Sequence, residues 1–269
     1  MTRMAKGGPP TTTITHVGGP TVLVELDGWR ILTDPTFDPA GRRYGFGWGT
    51  SSVKQHGPAL APEDVGPVDV ILLSHDHHAD NLDDLGRSLL PGATTVVTTK
   101  SGARRLALPD TRGLTAGETT RLTAPGKPPL TVTATPCRHG PPLSRPVAGD
   151  VVGFALAVGD RPGVAVWMTG DTVLNRPLRR IAREMDVDVL VLHLGSVRFR
   201  QTGRLRYSMD GRDAVELLAL ARPRVAVPVH YEGWSHFSES PEHLRGTLAA
   251  DPGSKSVVRW LEPGIADVL

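Results

Sequence analysis

With 269 residues, 39% of them apolar and 22% charged, the chain has the make-up of a globular protein able to bury a sizeable core. Basic and acidic residues are interspersed and nearly balance, leaving a formal charge of +2, so nothing calls for a nucleic acid or an anionic membrane as partner. No apolar run approaches the length of an integral membrane segment, and the single Cys137 excludes an intrachain disulfide and fits a reducing, cytoplasmic compartment.

Residues 1–10 carry no apolar signal segment and read as a disordered lead-in; residues 11–269 read as one domain. The 30 Gly and 24 Pro residues favour many short elements joined by tight turns. Three β-prone runs come first, 11–16, 21–26 and 29–33, and the Asp27-Gly28 pair between the last two is a hairpin signal. A loop over 34–67 follows, bearing Tyr44, Phe46 and Trp48. The apolar run 68–73 is then a buried strand ending at Ser74.

Further strands are predicted at 94–99, 119–123, 130–135, 151–158 and 163–169, with a short helix at 101–106. Helices at 175–185, 209–221 and 241–250 alternate with strands at 187–193 and 225–230, and a last strand is predicted at 256–261. There is no repeat of fixed period. Two sheets with outer helices fit this order.

The chemistry sits where these strands end. His75-Asp76-His77-His78-Ala79-Asp80-Asn81 directly follows the buried strand, in a loop on a rigid scaffold where sites are commonly built. His139, Asp171, His193 and His230 each follow another strand. A series of strands that each finish in His or Asp is what a metal site at one edge of a β-sandwich requires. Imidazole and carboxylate together suit zinc first, and also manganese or iron.

These motifs, VLVELDGWRILTDPTF, VDVILLSHDHHADNLD, MTGDT and RVAVPVHYEGW in that order, resemble the metallo-β-lactamase superfamily over nearly the whole chain. More narrowly they are similar to the branch of L-ascorbate-6-phosphate lactonase and N-acyl phosphatidylethanolamine phospholipase D. The resemblance implies an α/β, four-layered αββα sandwich (the metallo-β-lactamase fold) holding one or two divalent metal ions. It implies a metal-dependent hydrolase in which a metal-bound hydroxide attacks an ester-like bond of a small molecule: lactone, amide, thioester or phosphodiester.

Carried over by position, the motif His-x-His-x-Asp-His places His75, His77 and His139 at a first metal site with Asp171 as bridging carboxylate. Asp80, Asp171 and His230 then contribute to a second site, with Asp80 and Asp171 also the catalytic carboxylates. The chain departs from the pattern in one place. Two residues separate His77 from Asp80, and Asn81 stands where the family has a histidine. A neutral amide is a weak ligand, so a tight first site and a labile second one are expected, unless His78 or His193 completes the latter.

Asp34 is expected to brace the metal loop, Cys137 to be a buried structural thiol, and His56, His236 and His243 to lie on the surface. Arg198, Arg200, Arg204 and Arg206 could clamp an anionic end of the substrate. The competing functions are an iron-dependent oxidoreductase on the same fold and a degenerate, non-catalytic binding protein.

Overall fold

The computed structural model describes residues 11–47, 49–142, 144 and 148–269; the lead-in and Trp48 lie outside the described residues. The first sheet contains β1 (Thr12–Gly18), β2 (Thr21–Leu26), β3 (Trp29–Thr33), β6 (Val70–Leu72), β7 (Thr95–Thr99), β8 (Thr111–Leu114) and β15 (Ala266–Val268), in the order β15-β1-β2-β3-β6-β7-β8. The second contains β9 (Thr119–Leu122), β10 (Leu130–Pro136), β11 (Val152–Val158), β12 (Val164–Met168), β13 (Val187–His193) and β14 (Val225–Val229), in the order β14-β13-β12-β11-β10-β9. A separate hairpin, β4 (Arg43–Gly47) and β5 (Thr50–Val53), forms inside the stretch expected to be a plain loop.

The expected turn between β2 and β3 is present: Asp27 and Gly28 both take positive φ, 47° and 85°, as the twist of a two-residue hairpin requires. Alternation then decides which side chains face inward. Val22, Val24 and Leu26 join Val132, Phe154, Val166 and Val191 in the core between the sheets, while Leu23 turns to the opposite face. Each fully buried aliphatic side chain there stabilises the fold by about 1.5–3 kcal/mol.

Helices cover both outer faces, giving the αββα layering of the metallo-β-lactamase fold. Helices Arg176–Glu184, Gly211–Ala221 and Pro241–Ala250 bury Leu178, Leu217 and Leu244 against Trp167 and Leu190 of the second sheet. On the other side, Val65, Leu82 and Leu90 pack against Leu32, Ile71 and Val96. Helix starts are capped by side chains: Asn175 accepts from Leu178 N, Asp210 from Asp213 N, and Ser240 from His243 N.

The last predicted strand is corrected. Asp251 accepts from both the backbone N and the Oγ of Ser254, starting a helix at Pro252–Val257 that takes up the first two residues of the strand expected at 256–261. Val258 keeps only an isolated bridge to Ala226, and the final strand comes later, at Ala266–Val268 beside β1. The short strand β8, whose Thr-Arg-Gly-Leu sequence carries little apolar signal, sits at the sheet edge.

Strand direction gathers the site. β10 and β12 are each antiparallel to β11, and β12, β13 and β14 are parallel, so β10, β12, β13 and β14 all finish at one edge of the second sheet. His139, Asp171, His193 and His230 therefore emerge together, and the loop after β6 meets them from the first sheet.

Candidate metal centre

Two groups of donors form at that edge. In the first, His75, His78 and His139 each aim one ring nitrogen at a common point, the three atoms lying within 4.8 Å of one another. Nδ1 of His78 is 3.2 Å from Nε2 of His75 and 3.3 Å from Nε2 of His139. In the second group, Asp80, His230 and His236 are gathered as closely. Asp80 Oδ2 lies 3.2 Å from His236 Nε2 and 3.6 Å from His230 Nε2.

The outer nitrogens of these rings are held, which orients the inner ones. His139 Nδ1 donates to the Tyr207 carbonyl at 2.8 Å, leaving its Nε2 lone pair for the interior. His75 Nδ1 lies 2.9 Å from Ser74 Oγ, and His230 Nδ1 is 2.8 Å from Asp171 Oδ1. The Ser74 backbone N donates to Asp34 Oδ1 at 2.7 Å, so Asp34 ties the start of the metal loop to the end of β3. Asp34 and His230 both hold positive φ, 34° and 53°, a strained conformation for non-glycine residues that concentrates at functional positions.

Electrostatics separate the two groups. Burial, then the neighbouring imidazoles, push His75 well below the ordinary histidine range and His78 down to about 3, so both rings stay neutral and keep a lone pair. In the second group burial also opposes charge, but His230 and His236 outweigh it and hold the Asp80 carboxyl well below the usual range. Burial likewise resists a charged His230, yet Asp171 and Asp80 win and raise it to about 10. Asp171 is itself held low, because the imidazoles of His230, His139 and His75 overcome its desolvation. Its field thus acts on both groups.

A divalent cation fits this arrangement. Asp80 Oδ1, Asp171 Oδ2, His230 Nε2 and His236 Nε2 are all buried without a hydrogen-bond partner. Leaving such atoms unsatisfied costs roughly 1–3 kcal/mol each, and more for charged ones. Imidazole nitrogens and carboxylate oxygens aimed at common points are the donor set of zinc, manganese and iron.

Of the predicted residues, the fold brings His75, His139, Asp80, Asp171 and His230 to this edge; Asp171, expected to bridge the two sites, joins neither group and meets the second through His230 Nδ1, and His77 also stands outside both. Nε2 of His77 is 2.5 Å from the Ala148 carbonyl, and Gly149 packs so tightly on the ring that an added Cβ would sit 2.2 Å from it. The third nitrogen of the first group comes instead from His78. His236, expected on the surface, is 5% exposed and faces Asp80, whereas His56 and His243 are exposed as expected. His193 lies behind the site, its Nε2 3.6 Å from Asp34 Oδ2. Asn81 is buried with Nδ2 3.4 Å from Ser74 Oγ. Cys137 donates its thiol to the Thr169 carbonyl, and burial pushes that thiol well up.

A cavity of about 430 Å³ opens on the donors, with His78, Asp80 and His139 in its wall. Phe46, Phe199 and Leu205 contribute apolar side chains to its lining. Phe46 comes from the β4–β5 hairpin, which is tied down by Ser235 N donating to Val53 O at 3.0 Å and by Gln201 Nε2 donating to Gly49 O at 2.8 Å. No helix among the described residues is long and apolar enough to cross a membrane.

Comparison with known proteins agrees with the geometry. The family described as "Beta-lactamase superfamily domain" matches residues 29–231. A "UPF0173 metal-dependent hydrolase" of Carboxydothermus hydrogenoformans is 29% identical over 230 residues, covering 82% of this chain and 85% of its own. Among solved structures, a possible metal-dependent hydrolase from Veillonella parvula superimposes with a TM-score of 0.80 at 20% identity, covering 96% of this chain and 100% of the other. An isothiocyanate hydrolase from Delia radicum gut bacteria gives 0.77 at 18% identity, covering 96% and 99%. The chain belongs to the β-lactamase superfamily and is an enzyme of the metallo-β-lactamase fold.

Proposed function

We propose that this metal-dependent hydrolase cleaves an ester-like bond of a small molecule in the cavity beside the two donor groups, with Asp80 and Asp171 as its catalytic carboxylates. The observation that carries the reading is that His78, Asp80 and His139 form part of the cavity wall, so a molecule seated there meets the donors directly. A divalent ion, when bound, would acidify a water and polarise the bond under attack. His75, His78 and His139 would hold one ion; Asp80, His230 and His236 would hold the other, with Asp171 hydrogen-bonded behind His230.

The protein's own groups have separable tasks. Asp80 stays a carboxylate at any working pH, so its free Oδ1 is fitted to accept a hydrogen bond from the attacking water and aim it. Asp171 fixes the His230 ring through Nδ1 and turns Nε2 toward Asp80. In the reaction the water oxygen forms the new bond to the carbonyl or phosphoryl centre. The bond to the leaving atom breaks, and a proton from the water ends on that atom. The narrower likeness to the lactonase and phospholipase D branch is the reason for keeping phosphodiesters beside lactones, amides and thioesters.

The test is a panel of chromogenic carboxyl esters, thioesters and phosphodiesters assayed with zinc, manganese or iron, alongside metal content and an optical spectrum. Turnover that needs metal and disappears in His75→Ala is expected. A fully metalated, folded protein inert on the whole panel would overturn the reading.

A further inference from the structure

The cavity beside the donors is lined by Phe46, Phe199 and Leu205, with uncharged polar side chains such as Thr50 and Thr202 among them, and among the described residues no Lys or Arg lines it. The arginines that the sequence offers as an anion clamp are elsewhere. Arg206 is paired with Asp210 and with Asp213, the latter at 2.8 Å, while Arg198, Arg200 and Arg204 are exposed and do not line the cavity. The segment that carries them contributes its apolar members instead, Phe199 and Leu205, facing Phe46 of the hairpin. Phe46 also touches the His78 ring edge-on at 5.3 Å, so the apolar side chains begin immediately beside the donors.

Among the described residues that line this cavity, none would balance a phosphate or carboxylate placed away from the metal, and desolvating such a group against Phe46, Phe199 and Leu205 is unfavourable. An uncharged hydrocarbon group gains from the same contact. We propose, resting on the hydrolase reading above, that the substrate is a neutral acyl compound. Its hydrocarbon portion fills the space between Phe46, Phe199 and Leu205, and its carbonyl lies at His78 and Asp80. The volume, about 430 Å³, suits a group of several carbons and is within the ordinary range for small-molecule sites.

Linear amides, acetamide to octanamide, titrated under conditions in which each is verified to stay intact, probe this without relying on turnover. Binding to the zinc-loaded protein, followed by calorimetry, should tighten by about three- to fourfold for each added methylene until the cavity is full. Leu205 is 48% exposed, so Leu205→Asp should fold, and it should flatten that series while leaving zinc content unchanged. Affinity independent of chain length, or an amide of the same length ending in a carboxylate binding as tightly as octanamide, would overturn the proposal. Neutral alkyl esters of matched length separate the two readings. Length-dependent amide binding with no hydrolysis of the matched esters or of any member of the chromogenic panel would refute the proposed ester-bond hydrolysis and leave the binding inference standing. Hydrolysis that favours an anionic phosphodiester over the esters would do the reverse.

Discussion

His78 Nδ1 lies 3.2 Å from His75 Nε2, so the second imidazole of the metal loop is supplied three residues after the first and not two. This spacing sets apart two neighbouring histidines that look interchangeable in the sequence. His78→Ala removes a donor from the three-nitrogen group, and zinc affinity should fall by at least the roughly 10–100-fold typical of losing a supporting partner. His77→Ala takes away only the ring that meets the Ala148 carbonyl, so it should lower stability by about 1–3 kcal/mol and keep the metal. Chelator competition together with urea unfolding distinguishes these outcomes; equal metal loss in both variants would contradict the geometry.

His236 offers the same kind of discrimination at the other group. It is buried beside Asp80, with neither ring nitrogen hydrogen-bonded. His236→Ala should therefore lower the metal content from two ions toward one, because His75, His78 and His139 remain intact. Elemental analysis after dialysis against trace chelator measures this. Unchanged stoichiometry would return His236 to the role of a packing residue.

The sheets were legible because their strands are long enough to alternate or to run fully apolar: β13 was placed at Val187–His193 and β2 at Thr21–Leu26 from pattern alone. The β4–β5 hairpin was not, since Arg43–Gly47 and Thr50–Val53 are polar or glycine-rich and are fixed by contacts with Ser235 and Gln201 far along the chain. In the metal loop, the family motif puts its second histidine two residues before its aspartate. Counting back from Asp80 reaches His78, so the extra residue falls earlier in the loop than the His75-x-His77 match suggested. His236 carried no signal of this sort. It lies beyond the last family motif, and only the fold turns it inward, where Trp234 stacks over it with centroids 6.0 Å apart.

Chelator-stripped protein should be most stable near pH 6.5 and lose stability on either side. His75 and His78 have folded pKa values below the unfolded 6.5, so their neutral rings cost nothing above that pH. As pH falls, the unfolded chain takes up protons that the folded one refuses, until about 3 for His78. At pH 5 the His78 ring alone should weaken the fold by about 2 kcal/mol, and His75 acts in the same direction. His230 has the opposite sign: its pKa is raised to about 10, so its contribution is complete below 6.5 and is lost as pH rises toward 10. Denaturant midpoints between pH 5 and 9 test this, and a flat profile would contradict the depressed and raised values together.

The buried pair of Lys54 and Asp83, 2.8 Å apart with side chains 3% and 0% exposed, joins the hairpin to the end of the metal loop. Asp83 is already well supplied: it accepts from Phe37 N at 2.9 Å, Asp38 N at 2.7 Å and Gly86 N at 2.9 Å. Lys54 has no comparable set: its Nζ donates to Asp83, lies 5.7 Å from the Trp234 ring and acts on the Asp38 carboxylate through its charge. Lys54→Met keeps the stem and removes the charge, so the three backbone donors remain as the support of Asp83. Breaking a buried pair from one side ordinarily costs about 3–5 kcal/mol, and the donors should keep this case near the lower end. Asp83→Asn strips the charge partner from Lys54 and, with an amide nitrogen in place of Oδ2, also leaves the Asp38 N donor without its acceptor, so it should be the worse single change. The double variant should then lose less than the two single losses added, since no unpaired charge remains buried. Urea unfolding of all four proteins closes the cycle, and additive losses would show that the pair is not coupled.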